Sequence, residues 1–231
     1  MDQAQRDQLA IVDSYDRVGL PPIALVACAC AAGADRQARW RGLPVAAEGV
    51  TLRSGRVKVL AAQSDALTCI RAFVKRPRGW LTLAGAYGVG KTTLIYAALN
   101  ALADKGKIGR YIVLPDLLDQ LKAALRKDDH TYDSILRRVA MAPILAVDEV
   151  TAIRESDWTT EVLQTIFLSR YEQRASTATF LGYNVDGAQR LPAFLRSRLS
   201  DARFMFVDLG GKDLRPIADQ LDPWDRGEGE R

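Results

Sequence analysis

The segment GAYGVGKT at residues 85–92 has the composition and spacing of a phosphate-binding loop. It fits the pattern G-x-x-x-x-G-K-[ST], whose glycines let backbone N–H groups turn inward around a β-phosphate at the start of a helix. Lys91 can then reach the β- and γ-phosphates, and the Thr92 hydroxyl can bind Mg²⁺. The pattern therefore predicts a site for a nucleoside triphosphate and Mg²⁺. The residues predicted to form it are Gly85, Ala86, Tyr87, Gly88, Val89, Gly90, Lys91, Thr92 and Thr93.

Two adjacent acids, Asp148 and Glu149, follow the apolar run ILAV. Ligands of open α/β sheets bind at the carboxyl ends of the strands, which is where a strand at 143–147 delivers this pair. Asp148 can hold the Mg²⁺ shell, and Glu149 can polarise a water for attack on the γ-phosphate. A helix-capping turn is the other common role of such a pair. The preceding apolar strand and the phosphate loop upstream favour hydrolysis.

Asn184 ends the segment TFLGYN, which is predicted to be the next strand of the sheet. If that strand lies beside the one carrying Asp148, the Asn184 amide can bind the attacking water or the γ-phosphate. An asparagine at a strand end can instead initiate a turn through its own side chain.

Alternating strand and helix patterns surround these residues. Strands are predicted at 80–85, 110–114, 143–147, 177–183 and 204–209, and helices at 92–103, 116–127, 157–173 and from about Ser64. The apolar run at 143–147 is typical of a strand covered on both faces. The order predicts an α/β fold, with a parallel sheet and helices on both faces.

The rest of the chain is predicted to form smaller parts around this core. Residues 1–40 contain two helical patterns, which predict a small helical N-terminal module. Residues 41–63 contain Gly, Pro and basic residues, which predict a basic linker. The core is then expected at 64–221, followed by a flexible tail at 222–231.

Composition and charge narrow the classes of function. A hydrophobic content of 48% and a charged content of 26% are typical of a soluble globular protein. Residues 35–80 carry ten Lys or Arg against three acids, which suits a nucleic acid or an ordinary solvated surface. The three cysteines and one histidine show no metal-ligand spacing. Because the number of cysteines is odd, we expect reduced thiols. The longest apolar run, 23–32, is too short to span a membrane, so we expect a cytoplasmic protein.

Together these motifs resemble the AAA+ ATPases, and specifically the bacterial helicase loaders related to DnaC and DnaI, with their transposition relative IstB. The resemblance runs from about Trp80 to Arg215 and includes VLPDLLDQLKAAL and TIFLSRYEQRASTATFLGYN. The chain departs from the family in Asp-Glu-Val, where Asp-Asp before a glycine is frequent, and in Gly-Tyr before Asn184, where Thr-Ser is common. The resemblance implies a P-loop NTPase fold. It also implies an absent or vestigial lid, because 22 residues follow the strand at 204–209.

The same resemblance implies roles for three further residues. Asn184 matches sensor 1. FLRSRLSDARF resembles the segment carrying the arginine finger, where Arg198 is the best match and Arg196 and Arg203 are substitutes. GKDLR resembles the closing motif and makes Arg215 a sensor 2 candidate that acts in cis.

The resemblance leads us to expect an ATPase that assembles as an ATP-dependent homo-oligomer, with the arginine finger supplied in trans. It would grip single-stranded DNA and deliver a replicative helicase through its N-terminal helices. Lys122, Arg126 and Lys127 could contact DNA phosphates, although an ordinary polar helix face is an equal alternative. An IstB-like ATPase that binds duplex DNA and a transposase is the second hypothesis. A small-molecule kinase is the third, and it would not use Asn184, Arg198 or Arg215.

Overall fold

The structure is a computed structural model that describes residues 40–47, 49–54, 57, 65–126, 129–211 and 213. The helices predicted within residues 1–39 lie outside these ranges, and so does the tail at 222–231. Two of the predicted functional residues, Lys127 and Arg215, also lie outside them.

A six-stranded sheet forms the centre of the described part of the chain. All of its strand pairs are parallel, in the order β1-β3-β4-β5-β2-β6. The strands are β1 (Trp40–Arg41), β2 (Gly79–Gly85), β3 (Gly109–Val113), β4 (Ile144–Asp148), β5 (Ala178–Asn184) and β6 (Met205–Asp208). The carboxyl ends of all of them therefore lie at one edge of the sheet.

Helices connect these strands and cover both faces of the sheet. They are α1 (Ala66–Lys75), α2 (Lys91–Asp104), α3 (Leu114–Leu125), α4 (Asp129–Ala140), α5 (Asp157–Glu172) and α6 (Ala193–Leu199). Helices α1 and α2 contribute to one hydrophobic cluster, and the other four contribute to a second. This arrangement confirms the predicted α/β fold with helices on both faces.

Alternation along the strands explains why two separate cores form. In β2, Leu81 and Leu83 join the first cluster, whereas Trp80 joins the second. In β4, Ala146 belongs to the first cluster and Leu145 to the second. Successive side chains of a strand point to opposite faces, so a strand that is apolar at every position supplies both cores.

The described part of segment 41–63, for which the composition predicts a basic linker, packs on the core. Ala47 is fully buried. Asn100 of α2 donates two hydrogen bonds of 2.8 Å, to the carbonyl oxygens of Ala47 and Val50. Val57 belongs to the cluster that packs on α1 and α2. Composition alone missed these contacts because they join positions about 50 residues apart.

Candidate nucleotide-binding site

The phosphate loop connects β2 to α2 and has the backbone that its glycines permit. Gly88 and Gly90 have φ values of 78° and 94°, which side-chain-bearing residues rarely adopt. Gly90 is the residue before α2, which begins at Lys91. The first N–H groups of a helix have no intrahelical partner, so this loop and helix start offer donors to an anion.

Lys91 lies across the loop rather than away from it. Its Nζ atom donates to the carbonyl oxygens of Gly85 at 2.9 Å and Ala86 at 2.6 Å. Its ammonium group is therefore held where the phosphates of a nucleotide would be enclosed by the loop. Binding a triphosphate would exchange these carbonyl partners for phosphate oxygens.

Asp148 and Thr92 meet directly, although they are 56 positions apart in the chain. The Thr92 hydroxyl donates to Asp148 Oδ2 at 2.6 Å, and the Glu149 N–H donates to Oδ1 at 2.9 Å. Asp148 is 3% exposed. Adjacent ligands of octahedral Mg²⁺ lie about 3 Å apart, so the hydroxyl and the carboxylate fit two positions of its oxygen shell.

Glu149 follows at the end of β4 and keeps its side chain exposed. Its φ of 53° is the one positive value found at a non-glycine position in the part of the chain that the structure describes. Backbone strain of this kind is concentrated at functional sites. The conformation turns the chain sharply after Asp148, and Ala152 N–H closes the turn on the Glu149 carbonyl at 2.8 Å.

Asn184 lies beside both motifs, because β5 runs between β4 and β2. Its Cα pairs in register with that of Gly85, the first residue of the loop. The Asn184 side chain forms the turn that the sequence offered as an alternative, because its Oδ1 accepts a hydrogen bond from the Asp186 N–H at 3.0 Å. The other end of the amide, Nδ2, is buried and finds no acceptor among the described residues. That donor is free for a ligand.

Tyr111 was not predicted as a site residue, but it contacts the same carboxylate. Its hydroxyl donates to Asp148 Oδ2 at 3.1 Å and lies 3.3 Å from the Tyr96 hydroxyl. Burial and the Asp148 charge raise the pKa of Tyr111 far above its usual range. Burial also raises the pKa of Tyr96. Both phenols therefore stay protonated and can donate.

Gly182 and Thr151 also shape the site without having been predicted. A Cβ added at Gly182 would lie 2.1 Å from Asp148 Oδ1, so only glycine leaves room for this carboxylate. The Thr151 hydroxyl accepts from the Asn184 N–H at 3.2 Å and so braces the end of β5. The sequence marked Gly182 in one way, because Gly-Tyr precedes Asn184 where Thr-Ser is common in the resembled family.

The three candidate finger arginines occupy different surroundings. Arg198 packs over the Tyr171 ring at 5.0 Å, and its Nε is buried with no acceptor within the described ranges. Arg203 pairs with Asp201 and with Tyr171. That pairing, with Arg203 as the main cause, holds the pKa of Asp201 well below its usual range. Arg196 is exposed and makes one long hydrogen bond of 3.4 Å to the Gln189 carbonyl.

Arg198 also lies near the sheet edge opposite its own phosphate loop. The Tyr171 ring beneath it is 6.1 Å from the ring of Trp80, the second residue of β2. Gly85 ends that strand about 17 Å further on. The contacts of Arg198 thus lie near the start of β2, whereas the phosphate loop follows the end of that strand.

The chain returns to the phosphate loop after β6. Leu209 N–H donates to the Ala84 carbonyl at 2.9 Å. The Asp213 carboxylate lies directly against Gly88, in the space that a Cβ there would need. Asp213, two positions before Arg215 in the sequence, therefore lies against the phosphate loop.

Comparison with protein families fits this geometry. A family model described as "IstB-like ATP binding protein" matches residues 64–182, about half of the chain. The chain belongs to the IstB-like ATP-binding family. The match begins just before α1 and ends at Gly182, so it contains the phosphate loop, Tyr111 and the Asp148–Glu149 pair.

The similar proteins include two helicase loaders and a replication initiator. The replicative helicase loader DnaI of Bacillus subtilis (strain 168) is 33% identical over 98 residues, which are 42% of this chain and 31% of that protein. The crystal structure of the DnaC helicase loader has a TM-score of 0.57 at 26% identity and covers 73% of this chain and 100% of that one. The replication initiator DnaA bound to AMPPCP and single-stranded DNA has a TM-score of 0.58 at 19% identity, with coverages of 76% and 55%.

These similarities confirm the AAA+ fold and the relation to DnaC and DnaI helicase loaders. The aligned part spans about a third of the DnaI chain. The DnaA likeness, at 19% identity, supports the fold alone. Within the described residues, no helix is long and apolar enough to cross a membrane.

Proposed function

We propose that this chain is a Mg²⁺-dependent ATPase that loads a replicative helicase onto single-stranded DNA. The observation that carries the proposal is the hydrogen bond between Thr92 and Asp148 beside the phosphate loop, with Asn184 and its unpartnered Nδ2 in register with Gly85 where that loop begins. A site that only stored nucleotide would not need an acid and an amide donor next to the γ-phosphate position. The relation to DnaI and DnaC supplies the cellular role.

The residues divide the chemistry of hydrolysis among them. The loop N–H groups and Lys91 bind the phosphates, and Thr92 and Asp148 would hold a Mg²⁺ ion, which would neutralise phosphate charge during hydrolysis. Glu149 accepts the proton of the attacking water, for which its exposed carboxylate is available. Asn184 Nδ2 donates to the γ-phosphate or to that water and so orients the attack.

Arg198 completes this site from a neighbouring subunit. Its contacts near Trp80, at the start of β2, lie toward the other end of that strand from the phosphate loop, which supports action in trans. The stacking on Tyr171 and the unpartnered Nε hold a guanidinium with spare donor capacity. An arginine added in trans stabilises transition-state charge and typically accelerates hydrolysis about 10³–10⁵-fold. The ATPase therefore depends on assembly of an ATP-dependent homo-oligomer.

Arg215 acts as the sensor 2 arginine in cis. Asp213, two positions before it, lies against Gly88, which supports a path that brings Arg215 to the bound phosphates. The positive charge of Arg215 would offset the carboxylate that its own segment brings to the loop.

The helix α3 is the part of the core that we assign to single-stranded DNA. Its apolar side is buried, and it ends in the exposed Lys122 and Arg126, next to Lys127. Lys122 lies 5.3 Å from the Trp158 ring, so a cation and an aromatic ring adjoin on this surface. Basic groups with aromatic rings are the usual combination for single strands. The helicase is bound by residues 1–40.

An IstB-like role is the second candidate, because the family model that matches is the IstB-like one. In that role the same ATPase binds duplex DNA and assists a transposase. The two candidates share every step at the nucleotide and differ in the nucleic acid and the protein partner.

Co-purification with a replicative helicase tests the main proposal. We expect the helicase to be retained with ATP by the wild-type chain and by Glu149→Gln, which keeps the phosphate loop but loses the proton acceptor. We expect loss of ATP-dependent retention with Lys91→Met, and loss of all retention when residues 1–34 are deleted. Retention that is independent of nucleotide and of residues 1–34 would contradict the proposal.

Paired binding assays separate the two candidates. A single strand and a duplex of the same length and sequence are compared at several salt concentrations, because phosphate contacts make affinity salt-dependent. Tighter binding to the single strand supports helicase loading. Tighter binding to the duplex, with capture of a transposase and no helicase, supports the IstB-like role.

A further inference from the structure

A chain of hydroxyl groups surrounds one oxygen of Asp148. Oδ2 accepts from Thr92 Oγ1 at 2.6 Å and from the Tyr111 hydroxyl at 3.1 Å. The Tyr96 hydroxyl lies 3.3 Å behind that of Tyr111, and the two rings meet edge to face at 5.3 Å. Every member of the chain except Asp148 is therefore a donor or a relay to the same carboxylate oxygen.

Three separate elements bring these groups together. Thr92 and Tyr96 are four residues apart on α2, so they share one face of the helix. Tyr111 lies on β3, two positions before Val113, whose Cα pairs with that of Asp148 at the end of β4. The hydrogen bonds thus tie the phosphate-loop helix to two neighbouring strands at the point where the acid is presented.

The other side of the carboxylate is closed by backbone. Oδ1 accepts the Glu149 N–H at 2.9 Å, and the bare Cα of Gly182 lies against the same oxygen. Rotation of the carboxylate is therefore opposed on the Oδ1 side by contact and on the Oδ2 side by two donors. Of those two donors, Thr92 is itself committed to the metal position, which leaves Tyr111 as the donor with no other task at the site.

We infer that Tyr111 is a positioning residue that holds Asp148 Oδ2 in the orientation in which Asp148 and Thr92 together bind Mg²⁺. The inference rests on the proposed Mg²⁺-dependent nucleotide binding. Tyr111 acts through Asp148 and touches neither nucleotide nor ion. Tyr96 supports it from behind as the next hydroxyl of the chain.

The contact that Tyr111 makes distinguishes this role from packing alone. Its hydroxyl donates to Asp148 Oδ2 at 3.1 Å. A purely structural tyrosine would need only its ring, which fills the same space in phenylalanine. The hydroxyl adds to the ring the hydrogen bond to Asp148 and the contact with the Tyr96 hydroxyl behind it.

The test is the Mg²⁺ dependence of nucleotide binding by Tyr111→Phe. A fluorescent ATP analogue is titrated in excess EDTA and then at increasing Mg²⁺, with thermal unfolding measured in parallel. Partners that orient metal ligands typically contribute ten- to hundredfold to metal affinity. We expect the Mg²⁺ concentration at half-saturation to rise about tenfold, with binding in EDTA changed less than about twofold. Tyr96→Phe deletes an equivalent oxygen without touching Asp148, and we expect a rise of less than about threefold.

Each outcome has a distinct meaning. An unchanged Mg²⁺ requirement in Tyr111→Phe overturns the inference and leaves the proposed function intact. An equal loss of affinity in EDTA and in Mg²⁺ also overturns it, because that result shows a general structural role. If wild-type binding is itself indifferent to Mg²⁺, the proposed function fails together with the inference that rests on it.

Discussion

Replacement of Gly182 by alanine is the sharpest perturbation of the Asp148 carboxylate that this fold offers. The new Cβ would lie 2.1 Å from Oδ1 and 3.1 Å from the carboxylate carbon. A carbon–oxygen contact is normally about 3.3 Å or more, so Oδ1 must retreat by about 1.2 Å. This movement breaks the two hydrogen bonds that Oδ2, on the other side of the carboxylate, accepts from Thr92 and Tyr111.

The rate of hydrolysis should fall much more than the stability of the fold. Misplacement of a catalytic group by about 1 Å costs on the order of a hundredfold in rate. We therefore expect kcat for ATP hydrolysis to fall about a hundredfold, which is about 2.7 kcal/mol of activation free energy. Gly182 is not among the glycines with positive φ, so alanine suits its backbone. Replacing a strand glycine contributes about 0.5–1 kcal/mol of stability, which offsets part of the clash.

The assay is steady-state hydrolysis at saturating Mg²⁺, with thermal unfolding of the same samples. Gly210→Ala is the matched control, because its Cβ would meet nothing within 4 Å although its φ is 53°. It should lose stability without losing rate. Gly182→Ala should also weaken Mg²⁺-dependent nucleotide binding when Asp148 is present. It should have no further effect when it is added to Asp148→Ala. Hydrolysis by Gly182→Ala within threefold of wild type would refute the placement of Asp148 as a metal ligand.

The remaining predictions concern charge, core and assembly. Lys91→Met should weaken ATP binding at least about a hundredfold in a fluorescence titration, because a desolvated phosphate loses its charged donor. Arg170→Met should lower the free energy of unfolding by about 3 kcal/mol, and the Tm by about 6–12 °C, because carbonyl oxygens of Ala140, Ala142 and Ala178 lose their buried donor. Mixing Lys91→Met with Arg198→Ala, each inactive alone, should restore hydrolysis, because one subunit then supplies the arginine and the other the phosphate loop.

Controls make these three results interpretable. Arg196→Ala replaces an exposed arginine of the helix that also carries Arg198. This variant should hydrolyse ATP by itself, with no second variant added. If Arg196→Ala is inactive and Arg198→Ala is not, the finger has been assigned to the wrong residue. Burial lowers the pKa of Arg170 to about 9, which still leaves it charged at neutral pH. A Tm of Arg170→Met equal to that of wild type would mean that its hydrogen bonds contribute nothing net.

The sequence predicted the main strands because their patterns are local. Apolar runs bounded by turns marked β2 to β6 to within one residue at every end. The expectation that Asn184 lies beside the Asp148 strand is confirmed, because β4 pairs with β5. Helix α4 was not predicted, although Tyr132, Ile135, Leu136 and Val139 have helical spacing. Its many polar residues obscured that stripe.

Other features could not be predicted, because their causes lie far apart in the chain. Strand β1 has two residues, too few for any alternation to be visible. The bond from Tyr111 to Asp148 spans 37 positions, and the space that Gly182 leaves is defined by a carboxylate 34 positions earlier. Phosphate-loop residues carry a motif that identifies them. Residues that only orient them carry none, and three-dimensional contact is the evidence for their role.

The two carbonyl oxygens that Asn100 binds have a practical consequence for truncation. Homology to the family begins at residue 64, which invites a fragment that starts there. Such a fragment would lack Ala47 and Val50, so the Asn100 amide would have no acceptor beside the apolar core. It would also lack β1, the strand at one edge of the sheet. A trimmed version that retains the nucleotide pocket in its native form should begin no later than Trp40.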